Sequence, residues 1–523
     1  MTRHGREAVA SNATAAVSGV AAALLGAGAG ELVAALMAPS SSPFAVIGGA
    51  LIDIAPTWAK DTAIAWFGTA DKQALLIGIG IVLLALAALA GIAEARRGYT
   101  GVVVFAVLGA GVGILSLTRP GAGLLSWLPS VLAGALAALT LRTLLNIAKT
   151  SDAVAPGIVD DDTAAATAPS RRRFLAWAAG SAAIGVAMAV GGSLARAGST
   201  AVTIVREAIR LPRPAQSAPA IPAGAALDVP GLTPLITPNR DFYRIDTALI
   251  VPTVDPSQWR LRVHGMVAEE VELTWDELLA LPLIETTVTL SCVSNPVGGG
   301  LVGNAVWLGY PIRELLARAQ PDPDADMVLS TSVDGFTAGT PLEALTDDRD
   351  ALLAIGMNGE PLPFAHGFPV RMVVPGLYGY VSATKWVTDL EVTRFDQARA
   401  YWTDRGWSAR GPIKLQSRID VPRSGARVAA GDAVIAGVAW QPRTAITGVE
   451  VQVDGGPWQR AELASAISDD TWVQWRMPWR ADPGEHVLRC RAIDADGNAQ
   501  TGASAAPAPD GATGWHEVTV TVD

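Results

Sequence analysis

The chain has 523 residues, half of them apolar, and its mean hydropathy is positive. This composition is unusual for a wholly soluble protein, and the length leaves room for three or four domains. The net charge is −10, and no basic cluster occurs outside residues 171–173, which excludes nucleic acid as a partner. Two cysteines exclude a disulfide scaffold, a c-type haem motif and an iron–sulfur centre.

Residues 1–198 are predicted to form a multi-span helical membrane domain. Glu31 lies past the middle of the first apolar run, which favours packing or interfacial solvation over proton handling. Residues 44–67 contain Asp53, Pro56 and Lys60, and we expect them to lie at the interface or to re-enter. Runs long enough to span a bilayer occupy 13–37, 74–93, 101–117 and 124–141 (with Pro129 inside), and a fifth run reaches 195.

Basic residues flank these runs on alternate sides. They occur near the N-terminus, in the loop 94–100 and in the loop 142–173. Basic loops stay in the cytoplasm, so five spans that start inside place everything after residue 196 outside. We therefore predict a multi-pass protein of the cell membrane, surrounded by lipid bilayer, whose residues after 196 are extracytoplasmic.

The fifth run opens with the motif SRRRFL at 170–175. Followed by a weakly hydrophobic Ala/Gly span, it resembles a twin-arginine export signal placed inside the chain. The alternative is an ordinary basic flank on the last span, and both interpretations give the same topology.

Three further segments follow the membrane domain. Residues 199–236 are predicted to be a tether, because seven prolines between 212 and 238 make a stiff, extended segment. Residues 237–405 mix strands such as FPVRMVVPG with short helices such as TWDELLAL, which favours an α+β domain. Residues 406–523 show alternating strands separated by Gly, Pro and Asp turns, which is typical of an all-β sandwich.

Cys292 ends the alternating apolar run TVTLSC and opens into a loop with Asn, Pro and three glycines. A cysteine at the mouth of a strand is placed to bind a metal or to attack a substrate. The second cysteine, Cys490, shares a predicted strand face with Leu488 and Ala492, so we expect it in the core and Cys292 free. The alternative is that Cys292 is also a small buried hydrophobe.

A second segment, MNGEPLPFAHGFPVRMVVPGLYGYVSATKW at 357–386, contains several donors for an anion. Arg371 offers a planar fork, Lys385 offers a point charge, and His366 can donate from either ring nitrogen. The alternative is that Arg371 is a strand arginine paired with an acid and that the glycines only form turns.

Together these two segments resemble the sulfite-oxidase family of molybdopterin enzymes, over residues 236–520. The resemblance implies a molybdenum–molybdopterin cofactor, with Cys292 as the metal ligand and catalytic residue. It also implies that His366 and Arg371 bind the cofactor's phosphate and that the segment 379–385 clasps the cofactor. The implied cofactor-binding residues are Asn239, Tyr243, Arg244, His366, Arg371, Tyr378, Gly379, Ser382, Ala383, Thr384 and Lys385.

The same resemblance suggests two macromolecular partners. The segment GVEVQVDGGPWQRAEL at 448–463 resembles the family's C-terminal immunoglobulin-like domain, which mediates dimerisation there and implies a homodimer here. No histidine lies between His4 and His264, so we do not expect the helices to bind haem b. A separate electron-transfer partner is therefore predicted.

The chain departs from the family where an oxyanion would bind. Sulfite oxidases carry an Arg-Asn-His run where this chain has Asp246, Thr247 and Ala248, and an arginine before the Lys-Trp pair has no equivalent in GYVSATKW. An aspartate in place of an arginine disfavours an anionic substrate. We therefore expect oxygen-atom transfer that reduces a small S-oxide or N-oxide. The alternatives are sulfite-dehydrogenase-type oxidation and a cofactor-free surface binding module that has kept the fold.

Overall fold

The structure is a computed structural model that describes residues 11–37, 41–56, 59, 62, 66–67, 71–119, 122–152, 168–197 and 200–523. The predictions that rest on the N-terminal basic residues and on the loop between 153 and 167 concern residues outside this set. The chain forms two compact units. Unit 1 ends at Thr203 and includes the short segment Ala248–Ile250, and unit 2 comprises Ile204–Thr247 and Val251–Asp523.

The N-terminal part is helical. In the described residues, α1 and α3–α6 are long and apolar enough to cross a membrane, and they correspond to the five predicted runs. Helix α2 has 12 residues, which is too short for a span of its own. The helices are α1 (Asn12–Met37), α2 (Pro43–Ile54), α3 (Asp71–Arg97), α4 (Thr100–Leu117), α5 (Leu128–Asp152), α6 (Ala168–Ala197) and α7 (Thr200–Ala208).

The fourth predicted run is displaced along the chain. Residues 124–127 form a turn, and α5 begins at Leu128 and continues to Asp152. The predicted start at 124 is therefore four residues too early, whereas Pro129 lies inside the helix as predicted. The missing amide hydrogen of Pro129 falls in the first helical turn, where no intrahelical partner is required.

Small residues and the buried carboxylate of Glu31 help to bring the helices of unit 1 together. A Cβ atom at Gly28 of α1 would clash with the carbonyl of Gly185 in α6, so these two backbones approach closely. The carboxylate of Glu31 is buried and accepts hydrogen bonds from Ser42 Oγ at 2.8 and 2.9 Å and from the Phe44 amide at 3.2 Å. Glu31 thus supports the N-terminus of α2, the packing role that its position in the sequence favoured.

Unit 2 has a mixed region followed by a β-rich region. The mixed region contains α8 (Trp275–Ala280), α9 (Ile312–Ala319), α10 (Glu343–Thr346) and α11 (Gly379–Ser382), with β1 (Arg260–Gly265), β2 (Val271–Thr274), β3 (Ile284–Ser291), β4 (Val302–Pro311), β5 (Met327–Ser332), β6 (Thr337–Pro341), β7 (Leu352–Met357), β8 (Glu360–Pro361), β9 (Arg371–Val373) and β10 (Val387–Thr393). The β-rich region contains β11 (Gln416–Val421), β12 (Arg427–Val428), β13 (Gly431–Trp440), β14 (Ile446–Val453), β15 (Gln459–Arg460), β16 (Glu462–Leu463), β17 (Val473–Ala481), β18 (Gly484–Asp494) and β19 (His516–Val522).

Two sheets organise the mixed region. One has the order β2-β1-β10-β5-β6, with β1 parallel to β10, and the other has the order β3-β4-β7-β8, with β9 paired to β7. Strand β3 pairs with β4 along its whole length, from Ile284 opposite Gly309 to Ser291 opposite Val302. This pairing fixes where β3 ends and therefore where the Cys292 loop begins.

Two sheets also build the β-rich region, in the orders β11-β13-β17-β16 and β12-β19-β18-β14-β15. Ile435 and Trp475 from the first sheet and Val449 and Cys490 from the second belong to one buried core. Cys490 is fully buried, as its strand face predicted. The immunoglobulin-like assignment of this region stays a prediction.

The proline-rich segment lies along unit 2. The Ala215 amide donates to the Leu283 carbonyl at 2.7 Å, and the Leu227 amide donates to Gln474 Oε1 at 2.7 Å. Ala225 and Leu235 are buried in the core of the mixed region. Prolines keep the segment extended, but its remaining backbone groups find partners on the domain. Residues 209–238 are therefore part of unit 2 and not a free tether.

Candidate active site

Strand β3 delivers Cys292 to a loop that is held by its own hydrogen bonds. The Cys292 amide donates to the Leu301 carbonyl at 2.9 Å, and the Asn295 amide donates to the Cys292 carbonyl at 3.0 Å. The side chain of Asn295 accepts from the Leu301 amide at 2.8 Å. Cys292 is a free cysteine, as the sequence predicted, and it is only 8% exposed.

The thiol of Cys292 faces a cavity of about 110 Å³. Several of the predicted site residues come from distant parts of the chain and meet in its wall, which supports one shared site. Those that line the cavity are Tyr243, Cys292, His366, Arg371, Gly379, Ala383 and Lys385.

A second cleft, of about 700 Å³, adjoins this cavity. It is lined by two further predicted residues, Asn239 and Arg244, and it shares Phe242 and His366 with the first cavity. The Phe242 and His366 rings form an edge contact with their centroids 5.6 Å apart. The predicted cofactor residues are thus divided between two adjoining spaces.

Three predicted residues line neither of these two described cavities. Ser382 Oγ lies 3.2 and 3.0 Å from the Leu377 and Tyr378 carbonyls, and Thr384 Oγ1 lies 2.7 Å from Ser330 Oγ. The Tyr378 hydroxyl lies 3.4 Å from the Lys414 amide and accepts from it. Ser382, Thr384 and Tyr378 therefore fix the backbone of the segment that presents Gly379, Ala383 and Lys385.

Arg371 is a buried cation, 5% exposed. It donates to the backbone carbonyls of Met372, His366 and Ala383 at 3.2, 3.1 and 3.4 Å, and its guanidinium lies 5.1 Å from the Trp307 ring centroid. Among the described residues no carboxylate forms an ion pair with it, so the interpretation of a strand arginine paired with an acid is wrong. Burial lowers the pKa of Arg371 to about 10, because the charged guanidinium is desolvated. An anionic ligand would offset this desolvation penalty.

Lys385 and Asp246 form a buried ion pair in the cavity wall. Lys385 Nζ lies 2.6 Å from Asp246 Oδ2, and the side chains are 9% and 4% exposed. Arg244 Nε reaches the same oxygen at 2.9 Å. Burial lowers the pKa of Lys385 to about 8, although the Asp246 carboxylate opposes this shift. The aspartate that replaces the family's arginine therefore touches the predicted cofactor lysine directly.

His366 is neutral at physiological pH. Burial, with Arg371 and Lys385 nearby, lowers its pKa to about 4. Its Nε2 atom lies 3.2 Å from the Asn239 carbonyl oxygen, which can only accept, so Nε2 carries the proton. Of the two ring nitrogens that could donate to a ligand, the structure therefore commits Nε2 to the backbone.

The residues fit a metal whose other ligands come from an organic cofactor. Burial raises the pKa of Cys292, so the thiol stays protonated until a metal displaces the proton. No group of three or more His, Cys, Asp or Glu ligands occurs in the described part of the chain. A single thiolate together with the buried Arg371 guanidinium suits a metal carried by an anionic organic cofactor.

An aromatic wall completes the cavity, and our sequence reasoning did not identify it. It consists of Phe336, Tyr380, Trp402 and Trp407. The Trp407 ring centroid lies 6.2 Å from that of Trp402 and 5.9 Å from that of Tyr380. The available signal was the segment YWTDRGW at 401–407, which places three aromatic residues beside the predicted domain boundary.

Comparison with known proteins gives three kinds of similarity. Residues 248–402 match the family described as the oxidoreductase molybdopterin binding domain. The chain is 32% identical to mitochondrial sulfite oxidase from Mus musculus over 315 residues (51% of this chain, 57% of the relative), and 30% identical to sulfite oxidase from Gallus gallus over 314 residues (51% and 68%). The sulfane dehydrogenase SoxCD from Paracoccus pantotrophus is 26% identical, with a TM-score of 0.46, over 51% of this chain and 74% of that one. The chain thus spans little more than half the length of the mouse relative.

Proposed function

Because the chain belongs to the sulfite oxidase family of molybdopterin oxidoreductases, we propose that it is a membrane-anchored enzyme that reduces an S-oxide or N-oxide by oxygen-atom transfer. Family membership supports a molybdenum-dependent oxidoreductase with a molybdopterin cofactor. The substrate class rests on one observation, the ion pair between Asp246 and Lys385 in the cavity wall.

The ion pair removes the positive charge that an anionic substrate would need. Because Asp246 neutralises Lys385, an anion gains less at this wall than it would beside a free lysine, by up to roughly 4 kcal/mol for two unit charges at about 4 Å near a protein surface. The cavity lining also contains the aromatic side chains of Phe336, Trp402 and Trp407. A neutral oxide with apolar substituents suits such a wall better than sulfite does.

Each chemical role in the proposal falls on a named side chain. Cys292 would hold the molybdenum and Arg371 would hold the cofactor's phosphate, and His366 would join Arg371 by turning its Nε2–H from the Asn239 carbonyl to the phosphate. The metal centre, when bound, supplies two-electron oxygen-atom chemistry. The aromatic wall orients the substrate and excludes water, and Lys385, with a pKa of about 8, is largely protonated at neutral pH.

The proposed reaction balances with an external electron donor. One S-oxide, two protons and two electrons give one sulfide and one water, in which the sulfur–oxygen bond breaks and two oxygen–hydrogen bonds form. The electrons come from a separate electron-transfer partner. The described helices of unit 1 contain no histidine, in accord with a donor outside this chain.

We propose the remaining assignments on the sequence evidence. Helices α1 and α3–α6 span the membrane from a cytoplasmic N-terminus and leave unit 2 outside, with SRRRFL as an internal twin-arginine signal. The β-rich region is an immunoglobulin-like domain that supports a homodimer. The lengths and apolar character of the five helices are consistent with the first of these assignments.

The alternative of sulfite-type oxidation is favoured by the similarity to mitochondrial sulfite oxidases. Replacing Asp246 by Asn separates the two activities, because it leaves the charge of Lys385 available to an anion. We expect Asp246→Asn to strengthen inhibition of oxide reduction by sulfite at least about tenfold. The matched control is Asp241→Asn, an exposed acid paired with Arg240.

The sulfite inhibition constant decides the substrate class. Unchanged inhibition in Asp246→Asn would remove the argument that this carboxylate excludes anions. Molybdenum and pterin analysis of the detergent-solubilised chain tests the other alternative, since a cofactor-free binding module would contain neither.

A further inference from the structure

The glycine-rich end of the Cys292 loop contacts the β-rich region of unit 2. Residues 297–300, with the sequence VGGG, close the loop that begins at Cys292. Two side chains from β11 and β19 reach this segment, Arg418 and His516. Both lie more than 110 residues after the loop in the sequence, so no local pattern relates them to Cys292.

Arg418 is anchored on three sides. Its Nε donates to Asp420 Oδ1 at 2.6 Å, its Nη2 donates to Thr233 Oγ1 at 2.9 Å, and its Nη1 donates to the Gly299 carbonyl at 2.8 Å. The side chains of Arg418 and Asp420 are 10% and 9% exposed. Because the fork is held rigidly by Asp420 and Thr233, its remaining donor defines the position of the Gly299 carbonyl.

His516 presses on the neighbouring residue of the loop. Its Nδ1 accepts a hydrogen bond from the Ile419 amide at 3.0 Å, which places the proton of the neutral ring on Nε2. A Cβ atom at Gly298 would clash with the Nε2–Cδ2 edge of the ring. Gly298 also has φ of +74°, a conformation that favours glycine. Only a glycine at 298 permits the ring and the loop to lie so close.

From these contacts we infer that the β-rich region sets the position of the Cys292 thiol, with Arg418 and His516 as positioning residues that clamp the 297–300 segment. The loop has internal support on the other side, where Asn295 accepts from the Leu301 amide. Arg418 and His516 hold the 297–300 segment, and Asn295 holds the loop at Leu301, whose carbonyl accepts from the Cys292 amide. The inference rests on the proposed role of Cys292 as metal ligand, but its test needs neither metal nor substrate.

The test is the alkylation rate of Cys292 by iodoacetamide in the cofactor-free chain, read by mass spectrometry of the two cysteine peptides. His516→Asn keeps an acceptor near the Nδ1 position for the Ile419 amide but removes the ring from Gly298. Arg418→Lys keeps a positive charge beside Asp420 but loses the fork that reaches Gly299. We expect each variant to raise the Cys292 rate about tenfold, the effect of losing one charge-assisted hydrogen bond or an equivalent packing contact.

A faster reaction is expected because opening of the loop exposes the thiol of Cys292, a residue that is only 8% exposed in the closed loop. Cys490, fully buried in the other core, is the internal reference and should stay unreacted. Gly300→Ala is the matched control, because a Cβ atom there has no neighbour within 4 Å, and it should leave the Cys292 rate unchanged.

Two outcomes would overturn the inference. An unchanged Cys292 rate in both variants would show that Asn295 and the loop's own hydrogen bonds suffice. A parallel rise at Cys292 and Cys490 would show that Arg418 and His516 stabilise the fold as a whole and do not position the thiol. Loss of activity from Cys292→Ser is a separate result, so failure of the proposed function can be recognised independently.

Discussion

Lys385 Nζ lies 2.6 Å from Asp246 Oδ2, although the two residues are 139 positions apart in the chain. The pair lies in the wall of the cavity that contains Cys292. It couples a lysine that the resemblance assigned to the cofactor to the acid that replaces an arginine of the family. The net charge of the proposed site therefore depends on a contact between two residues that lie far apart in the sequence.

Replacement of Cys292 by Ser tests the metal ligand. We expect Cys292→Ser to abolish turnover while pterin remains bound, because the proposed phosphate contacts of Arg371 are intact. Cys490→Ser, in the core of the β-rich region, should keep activity and lower the free energy of unfolding by roughly 1–3 kcal/mol. Activity assays and thermal denaturation of both variants measure this, and full activity in Cys292→Ser would refute the assignment.

Removal of the buried guanidinium tests the phosphate site. Arg371→Ala should lower pterin content at least about tenfold, since hydrogen bonds to charged groups contribute roughly 1.5–3 kcal/mol. The control is Arg262→Ala, a strand arginine whose ion pair with Glu270 is exposed. Pterin fluorescence after denaturation gives the content. Equal pterin in Arg371→Ala and the control would show that Arg371 has only a structural role.

The pKa of Lys385 predicts a pH dependence of cofactor retention. The cofactor-free protein loses the lysine charge as pH rises through about 8, so affinity for an anionic cofactor should fall by up to about tenfold per pH unit above that value. Lys385→Arg keeps its charge and should show no such decline. Pterin retained after dialysis between pH 7 and 9 is the measurement, and identical profiles for the two proteins would contradict the prediction.

The lowered pKa of Lys385 also affects the free energy of unfolding, which should rise over a pH range in which the affinity for the cofactor falls. Between pH about 8 and the ordinary lysine pKa of about 10.4, the unfolded chain binds more protons at Lys385 than the folded chain does. The contribution of this group to stability therefore rises with pH in that window. Denaturant unfolding of the cofactor-free wild type and of Lys385→Gln across the window would reveal the difference.

The SRRRFL motif predicts a specific failure of export. Changing Arg171 and Arg172 to Lys preserves the charge that sets topology but removes the planar fork that a receptor can bind. If the pair is an export signal, residues 196–523 should remain in the cytoplasm while the first four spans insert. Protease added from the outer face would then leave unit 2 intact. Digestion of unit 2 in the lysine variant would identify the pair as a charged flank only.

Local sequence patterns predicted the five long helices, strand β3 and the burial of Cys490. Hydropathy alone located the five long helices, because each needs an apolar stretch of membrane length. The predicted start of the fourth run at 124 was four residues too early, because hydropathy does not indicate where a helix begins. Alternation in TVTLS predicted β3, and the strand faces around Cys490 predicted its burial.

Long-range contacts account for what the sequence did not reveal. Proline content predicted an extended segment at 212–238 but not that Ala225 and Leu235 would be buried. The aromatic wall with Trp402 and Trp407 required knowledge of which loops meet at the cavity. The contact of Arg418 with Gly299 joins two regions that the predicted domain boundary had separated.

The proposed function of this chain is reduction of a neutral oxide and not oxidation of sulfite. The most direct test is to compare kcat/KM of the molybdenum-loaded, detergent-solubilised chain for dimethyl sulfoxide or trimethylamine N-oxide with a reduced dye, and for sulfite with an oxidised dye. We predict that kcat/KM for at least one oxide exceeds that for sulfite by at least about a hundredfold, because Asp246 neutralises the Lys385 charge that would attract a sulfite ion. A larger kcat/KM for sulfite than for either oxide would contradict the account.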